Sequence, residues 1–81
     1  MTRIKYMSQY GLLWTDWFTV GPNIIIRGVI DTTNFRYEIR EFDSSIVMDG
    51  TGDSLRHCKE LIRQGLIDSG VKFDGEIRRR S

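Results

Sequence analysis

The sequence predicts an α+β domain: a four-stranded antiparallel meander followed by one or two helices packed on one face of the sheet. Three observations predict it. Turn signals at Gly11, Gly21–Asn23 and Asp31–Asn34 cut the first half into runs rich in β-branched and aromatic residues. From Ser54 onward the apolar period lengthens from two residues to between three and four. The connections between the runs are too short for the crossovers that parallel strands need.

Taken in order, the strands fall near residues 3–8, 12–20, 24–31 and 35–42. The first, "IKYMSQY", places Ile4, Tyr6, Ser8 and Tyr10 on one face and Lys5, Met7 and Gln9 on the other. Residues 44–53 read as a glycine-containing connecting loop. The helix begins at Ser54, where Leu55, Cys58, Ile62 and Leu66 form an apolar stripe with Leu61 beside it, while Arg56, Lys59, Glu60 and Arg63 face outward. Asp53 or Ser54 caps its start, and Gly70 suits the left-handed position past its end. Val71 and Phe73 are placed beneath the helix, and Glu76–Ser81 forms either a last helical turn or a tail. The chain is thus one domain, with sheet over 1–43, loop over 44–53, and helix and C-terminal segment over 54–81.

Hairpin arithmetic converts this order into faces. A turn at Gly21–Asn23 pairs Val20 with Ile24, Phe18 with Ile26 and Trp14 with Ile30, and a turn at Thr33–Asn34 pairs Ile30 with Tyr37 and Gly28 with Ile39. One face then holds Trp14, Phe18, Val20, Ile24, Ile26, Ile30, Tyr37 and Ile39, and the helix is expected to cover it. The other face holds Leu13, Trp17, Ile25, Arg27, Val29, Asp31, Arg36, Glu38, Arg40 and Phe42. That mixture is too apolar for a purely solvated face, which points to an interface, unless the register differs by one residue or the C-terminal segment covers it. The same register sets Arg27 opposite Arg40, a like-charge pair that needs compensation, with Trp17 near enough to stack on a guanidinium.

Composition narrows the function classes. The 81 residues carry twelve Lys and Arg against eleven Asp and Glu, a net charge of +1, so bulk electrostatics do not draw the molecule to nucleic acid. The single cysteine, Cys58, allows no intrachain disulfide, and no apolar run reaches the roughly 20 residues of a membrane span. A cytoplasmic protein without membrane association is expected. Asp49, Thr51, Asp53 and Glu60 have calcium-loop spacing, but Ser54 stands where the loop needs glycine, so no metal or other cofactor is expected. His57 and Cys58 are adjacent and diverge by about 100° on a helix, which does not favour shared catalysis. The chain reads as non-enzymatic.

Three short stretches carry a resemblance. "IKYMS" at Ile4–Ser8, "REFDSS" at Arg40–Ser45 and "EIRRR" at Glu76–Arg80 resemble segments of the small phage anti-CRISPR proteins that inhibit type I-F surveillance complexes, in particular one with a four-strand antiparallel sheet followed by helices. The resemblance implies a stoichiometric inhibitor in the cytosol of a bacterial host, binding a Cas backbone subunit of the crRNA-guided complex and blocking target DNA. Tyr6 matches a family interface tyrosine. A second family tyrosine aligns near Phe18, which keeps the ring and loses the hydroxyl, and a family acid aligns near Val29 or Asp31. Joined to the open-face reading, the expected partner-binding residues are Tyr6, Trp17, Phe18, Arg27, Asp31, Arg36 and Arg40. The alternative is a small nucleic-acid-binding module using Arg27, Arg40 and Trp17. A monomer or weak homodimer is expected in either case.

Overall fold

The computed structural model describes residues 4–73 and has α+β architecture, a six-stranded antiparallel sheet with one helix across one face. The strands are β1 (Tyr6–Gln9), β2 (Leu12–Thr15), β3 (Phe18–Gly21), β4 (Ile24–Asp31), β5 (Arg36–Glu41) and β6 (Ile46–Thr51), and the helix is α1 (Leu55–Asp68). The path through the sheet is β1-β2-β4-β5-β6, with β3 also pairing β4. The expected tail or turn at Glu76–Ser81 lies outside the described residues.

The four expected strands become six for two separate reasons. The run 12–20 breaks at Asp16 and Trp17, so β2 pairs with Val29–Asp31 of β4 while β3 pairs with Ile24–Ile26. At the break the Thr15 hydroxyl takes over the ladder's work, donating to the Asp16 carbonyl at 2.8 Å and accepting the Gly28 N–H at 2.9 Å. In addition, residues 44–53 are not simply a connecting loop. Ile46–Thr51 pairs with β5 through Ile39↔Met48, Glu38↔Asp49 and Tyr37↔Gly50, with a bulge between Ile39 and Arg40.

Turn chemistry accounts for the meander. Tyr10 (φ 56°) and Gly11 (φ 75°) both occupy the left-handed region, as a two-residue type I′ hairpin loop requires. Asp31 Oδ1 accepts from the Thr33 N–H and hydroxyl, building the turn between β4 and β5, and the expected pairs Ile30↔Tyr37 and Gly28↔Ile39 form. The expected pair Phe18↔Ile26 forms as well, whereas Gly21 rather than Val20 stands opposite Ile24 because a register shift separates Thr19 from Gly21.

The helix starts at Ser54, whose hydroxyl accepts from the His57 N–H at 3.1 Å, while His57 Nδ1 accepts from the Asp53 N–H at 2.9 Å. Ser54, not Asp53, is the cap. The apolar stripe lands where its period placed it: Cys58, Ile62 and Leu66 are buried against Ile26, Ile30, Ile39, Val71 and Phe73. Gly28 brings β4 close to the helix, since a Cβ there would stand 2.6 Å from Ile62 Cγ2. Among the described residues no helix is long and apolar enough to cross a membrane.

Candidate interaction surface

The face of the sheet turned away from α1 is built around Arg27. Its guanidinium carbon lies 4.2 Å from the Trp14 ring centroid and 4.3 Å from that of Trp17, so the two indoles enclose the cation. The break at Asp16–Trp17 creates this arrangement, because it changes the alternation between β2 and β3 and puts both tryptophans on Arg27's side. Trp14 was expected on the helix-covered face and Leu13 on the open one. The structure reverses them: Trp14 pairs with Val29, while Leu13 pairs with Ile30 and packs on the core.

Arg27 and Arg40 stand opposite each other in the register, as expected. Burial, and secondarily the Arg40 charge, push the Arg27 guanidinium below its usual value, yet it stays cationic at any ordinary pH. Its Nε is buried without a hydrogen-bond partner, so the rings supply its main compensation. Arg40 is neutralised differently, by Glu38 Oε1 at 2.6 Å from Nη2 and 2.7 Å from Nε. Arg36 bridges to Asp49 at 2.5 Å and reaches Glu38 at 3.7 Å. The arginines are therefore matched within the face. A shallow depression of about 170 Å³ opens between Leu12, Val29, Asp31, Arg36, Glu38 and Arg40.

An apolar projection borders the arginines. Phe42 keeps 71% of its surface exposed and meets Trp17 with ring centroids 5.5 Å apart. Together with Trp14 they form an aromatic ridge beside a charge-matched strip, the combination of ring anchors and arginine that recurs at protein interfaces.

The seven expected contact residues divide between the two faces. Trp17, Arg27, Arg36 and Arg40 belong to the surface just described. Asp31 lines its depression, but its carboxylate is committed to Thr33, whose side-chain and backbone hydrogen bonds hold the carboxyl below its ordinary range. Tyr6 and Phe18 lie on the opposite face. Phe18 packs edge-on against Phe73 with centroids 5.6 Å apart. The Tyr6 hydroxyl is buried without a partner, and Lys59 Nζ lies 5.0 Å from its ring centroid. Burial, then the neighbouring Cys58, pushes the phenol up to about 12. No single surface unites all seven.

Sequence reasoning did not single out Trp14, Phe42, Glu38 or Asp49 as contact residues. The available signal was Asp16, an acid poorly suited to the interior of a strand, which marks the break that turns Trp14 over. The Cys58 thiol is buried and donates to the Phe35 carbonyl at 3.1 Å, and burial raises it above its ordinary value, the reverse of what activates a thiol nucleophile. Among the described residues no group of three His, Cys, Asp or Glu side chains converges as a metal site. Comparison with protein-family models, curated proteins and solved structures returns no match to the chain.

Proposed function

We propose that this chain is a non-catalytic binding protein that grips a partner protein with the open face of its sheet. The observation that carries the reading is the Trp14–Arg27–Trp17 stack extended by exposed Phe42. Internal charge matching favours a protein partner over a polyphosphate. Arg40 is held by Glu38 and Arg36 by Asp49, so neither presents the uncompensated charge that drives nucleic-acid binding. The specific partner proposed is a Cas backbone subunit of a type I-F surveillance complex, with target-DNA binding blocked as the consequence. That part rests on the short motifs at Ile4–Ser8, Arg40–Ser45 and Glu76–Arg80.

The experiment is co-purification of the tagged chain with the type I-F complex, followed by target-DNA binding by the product. Stable association with loss of DNA binding is expected, and Trp17→Ala combined with Phe42→Ala should weaken association by about 2 kcal/mol or more. Equal association of that variant would remove the open face as the contact surface. No association would remove this complex as the partner. Binding to free DNA that falls steeply with salt would instead select the nucleic-acid module built on Arg27, Arg40 and Trp17.

A further inference from the structure

A second surface lies on the other side of the sheet. The helix contacts β4 and β5, whereas β1 lies two strands from β4 and ends the sheet. Ile4 and Tyr6 therefore form the floor of a groove of about 210 Å³, walled by Arg56, Lys59, Glu60 and Arg63 of α1. Arg56, Lys59 and Arg63 follow i, i+3, i+7 spacing, which aligns them on the helix flank above β1. Arg56 and Lys59 outnumber Glu60, so the wall is net positive without counting Arg63.

The strand beside the groove has hydrogen-bonding groups directed outward. In a two-residue type I′ hairpin the closing pair, Gln9↔Leu12, exchanges both backbone bonds, and bonded pairs recur at every second position, making Met7↔Trp14 the next. The N–H and C=O groups of Tyr6 and Ser8 consequently point away from β2. Among the described residues no strand pairs with that edge. Nor does β1 carry the proline or bulge that commonly blunts an edge, in contrast to the bulged pairing of β6.

From these features we infer that the β1–α1 groove binds an extended acidic segment of a partner protein, which adds to β1 as a further strand and directs acidic side chains toward Arg56 and Lys59. Backbone bonds to Tyr6 and Ser8 supply register, and the alternation of side chains along a strand makes every second position acidic. The charge of the wall selects this occupant. The chain's own residues 74–81 carry Arg78–Arg80 against Asp74 and Glu76, a net positive charge that gives the wall no net counter-charge. This site is separate from the open face and does not depend on what that face binds.

The test is titration of the isotope-labelled full chain with the capped heptapeptide Glu-Val-Glu-Val-Glu-Val-Glu, with Lys-Val-Lys-Val-Lys-Val-Lys as control. Expected are saturable amide shifts at Tyr6 and Ser8 with the acidic peptide and none with the basic one. Ser8→Pro removes an outward N–H without breaking a bond to β2, and should weaken binding at least tenfold. Should that variant fail to fold, Arg56→Glu with Lys59→Glu, on exposed helix positions, should produce the same loss. No binding at millimolar peptide, or unchanged affinity in the charge-reversed variant, would overturn the proposal. So would unchanged affinity in a folded Ser8→Pro chain. Self-association abolished by Ser8→Pro would replace the partner with a second copy, and binding seen only after removal of residues 74–81 would assign the groove to the chain's own tail.

Discussion

Arg27 and Arg40 stand directly opposite each other on β4 and β5, two like charges in a cross-strand pair, and each is compensated by different chemistry. Trp14 and Trp17 enclose the Arg27 guanidinium, while Glu38 takes two bonds from Arg40 and a longer contact from Arg36. A like-charge pair left uncompensated would weaken the sheet. Here it concentrates aromatic and cationic surface on one side of the fold.

Glu38 is consequently the acid on which this face depends, its side chain only 16% exposed between two arginines. Glu38→Gln removes the negative charge and leaves Arg40 without its counter-charge opposite Arg27. A loss of about 1–2 kcal/mol is expected, partly recovered by added salt. Arg40→Gln should cost less, because it relieves the repulsion and leaves Glu38 near Arg36. Urea denaturation of both variants at two salt concentrations checks the order, and a larger loss for Arg40→Gln would contradict this charge balance.

Gly28 sets the separation of sheet and helix. A methyl added there meets Ile62 at 2.6 Å, too close for either side to remain in place. Gly28→Ala is expected to destabilise by about 1–3 kcal/mol through overpacking. Ile62→Ala alone should cost about 2–5 kcal/mol through its cavity. Combined, the two should cost less than their sum by about 1 kcal/mol or more, since one change fills space the other vacates. A double-mutant cycle in urea measures the coupling, and simple additivity would argue against the close approach.

How much could be read beforehand follows the same local physics. The β4–β5 register was legible because Asp31–Asn34 marks the turn and the runs on either side alternate, and Arg27↔Arg40 came with it. The helix was legible from Ser54 and the Leu55–Leu66 stripe. β6 was hidden because Asp49, Gly50 and Gly52 resemble a loop, yet Gly50 is where the Tyr37 ring closely approaches the strand: a Cβ there would stand 3.0 Å from the ring. The aromatic clamp was half legible. Trp17 was placed correctly, but Trp14 was turned over by the interruption that Thr15 stabilises, a side-chain substitution for a ladder bond that apolar periodicity does not encode.

Ser54 offers a local test of the helix boundary. Its hydroxyl accepts the His57 N–H, and no acidic residue in the first turn supplements it. Ser54→Ala should lower stability by about 1 kcal/mol, and Ser54→Asp should restore or exceed the original because a carboxylate both caps and favours the positive helix end. Thermal melts of the three proteins check this, and equal midpoints would assign the cap elsewhere.

The buried Tyr6 hydroxyl makes an alkaline prediction whose sign is fixed by the direction of its shift. The phenol's ordinary value is 10.0, and in the fold burial, followed by Cys58, raises it to about 12. Between those two values the unfolded chain gives up this proton while the folded chain keeps it. The contribution is therefore fully present below pH 10 and is lost as pH rises toward about 12. Tyr6→Phe removes a hydroxyl that has no partner, so at pH 7 the substitution should be neutral or stabilising by up to about 1 kcal/mol. It should also remove the Tyr6 share of the alkaline loss. Urea midpoints for both proteins from pH 8 upward provide the check: curves that diverge above about pH 10 support an inward hydroxyl. Parallel curves would mean that Tyr6 titrates alike in the folded and unfolded chains, with its hydroxyl in water.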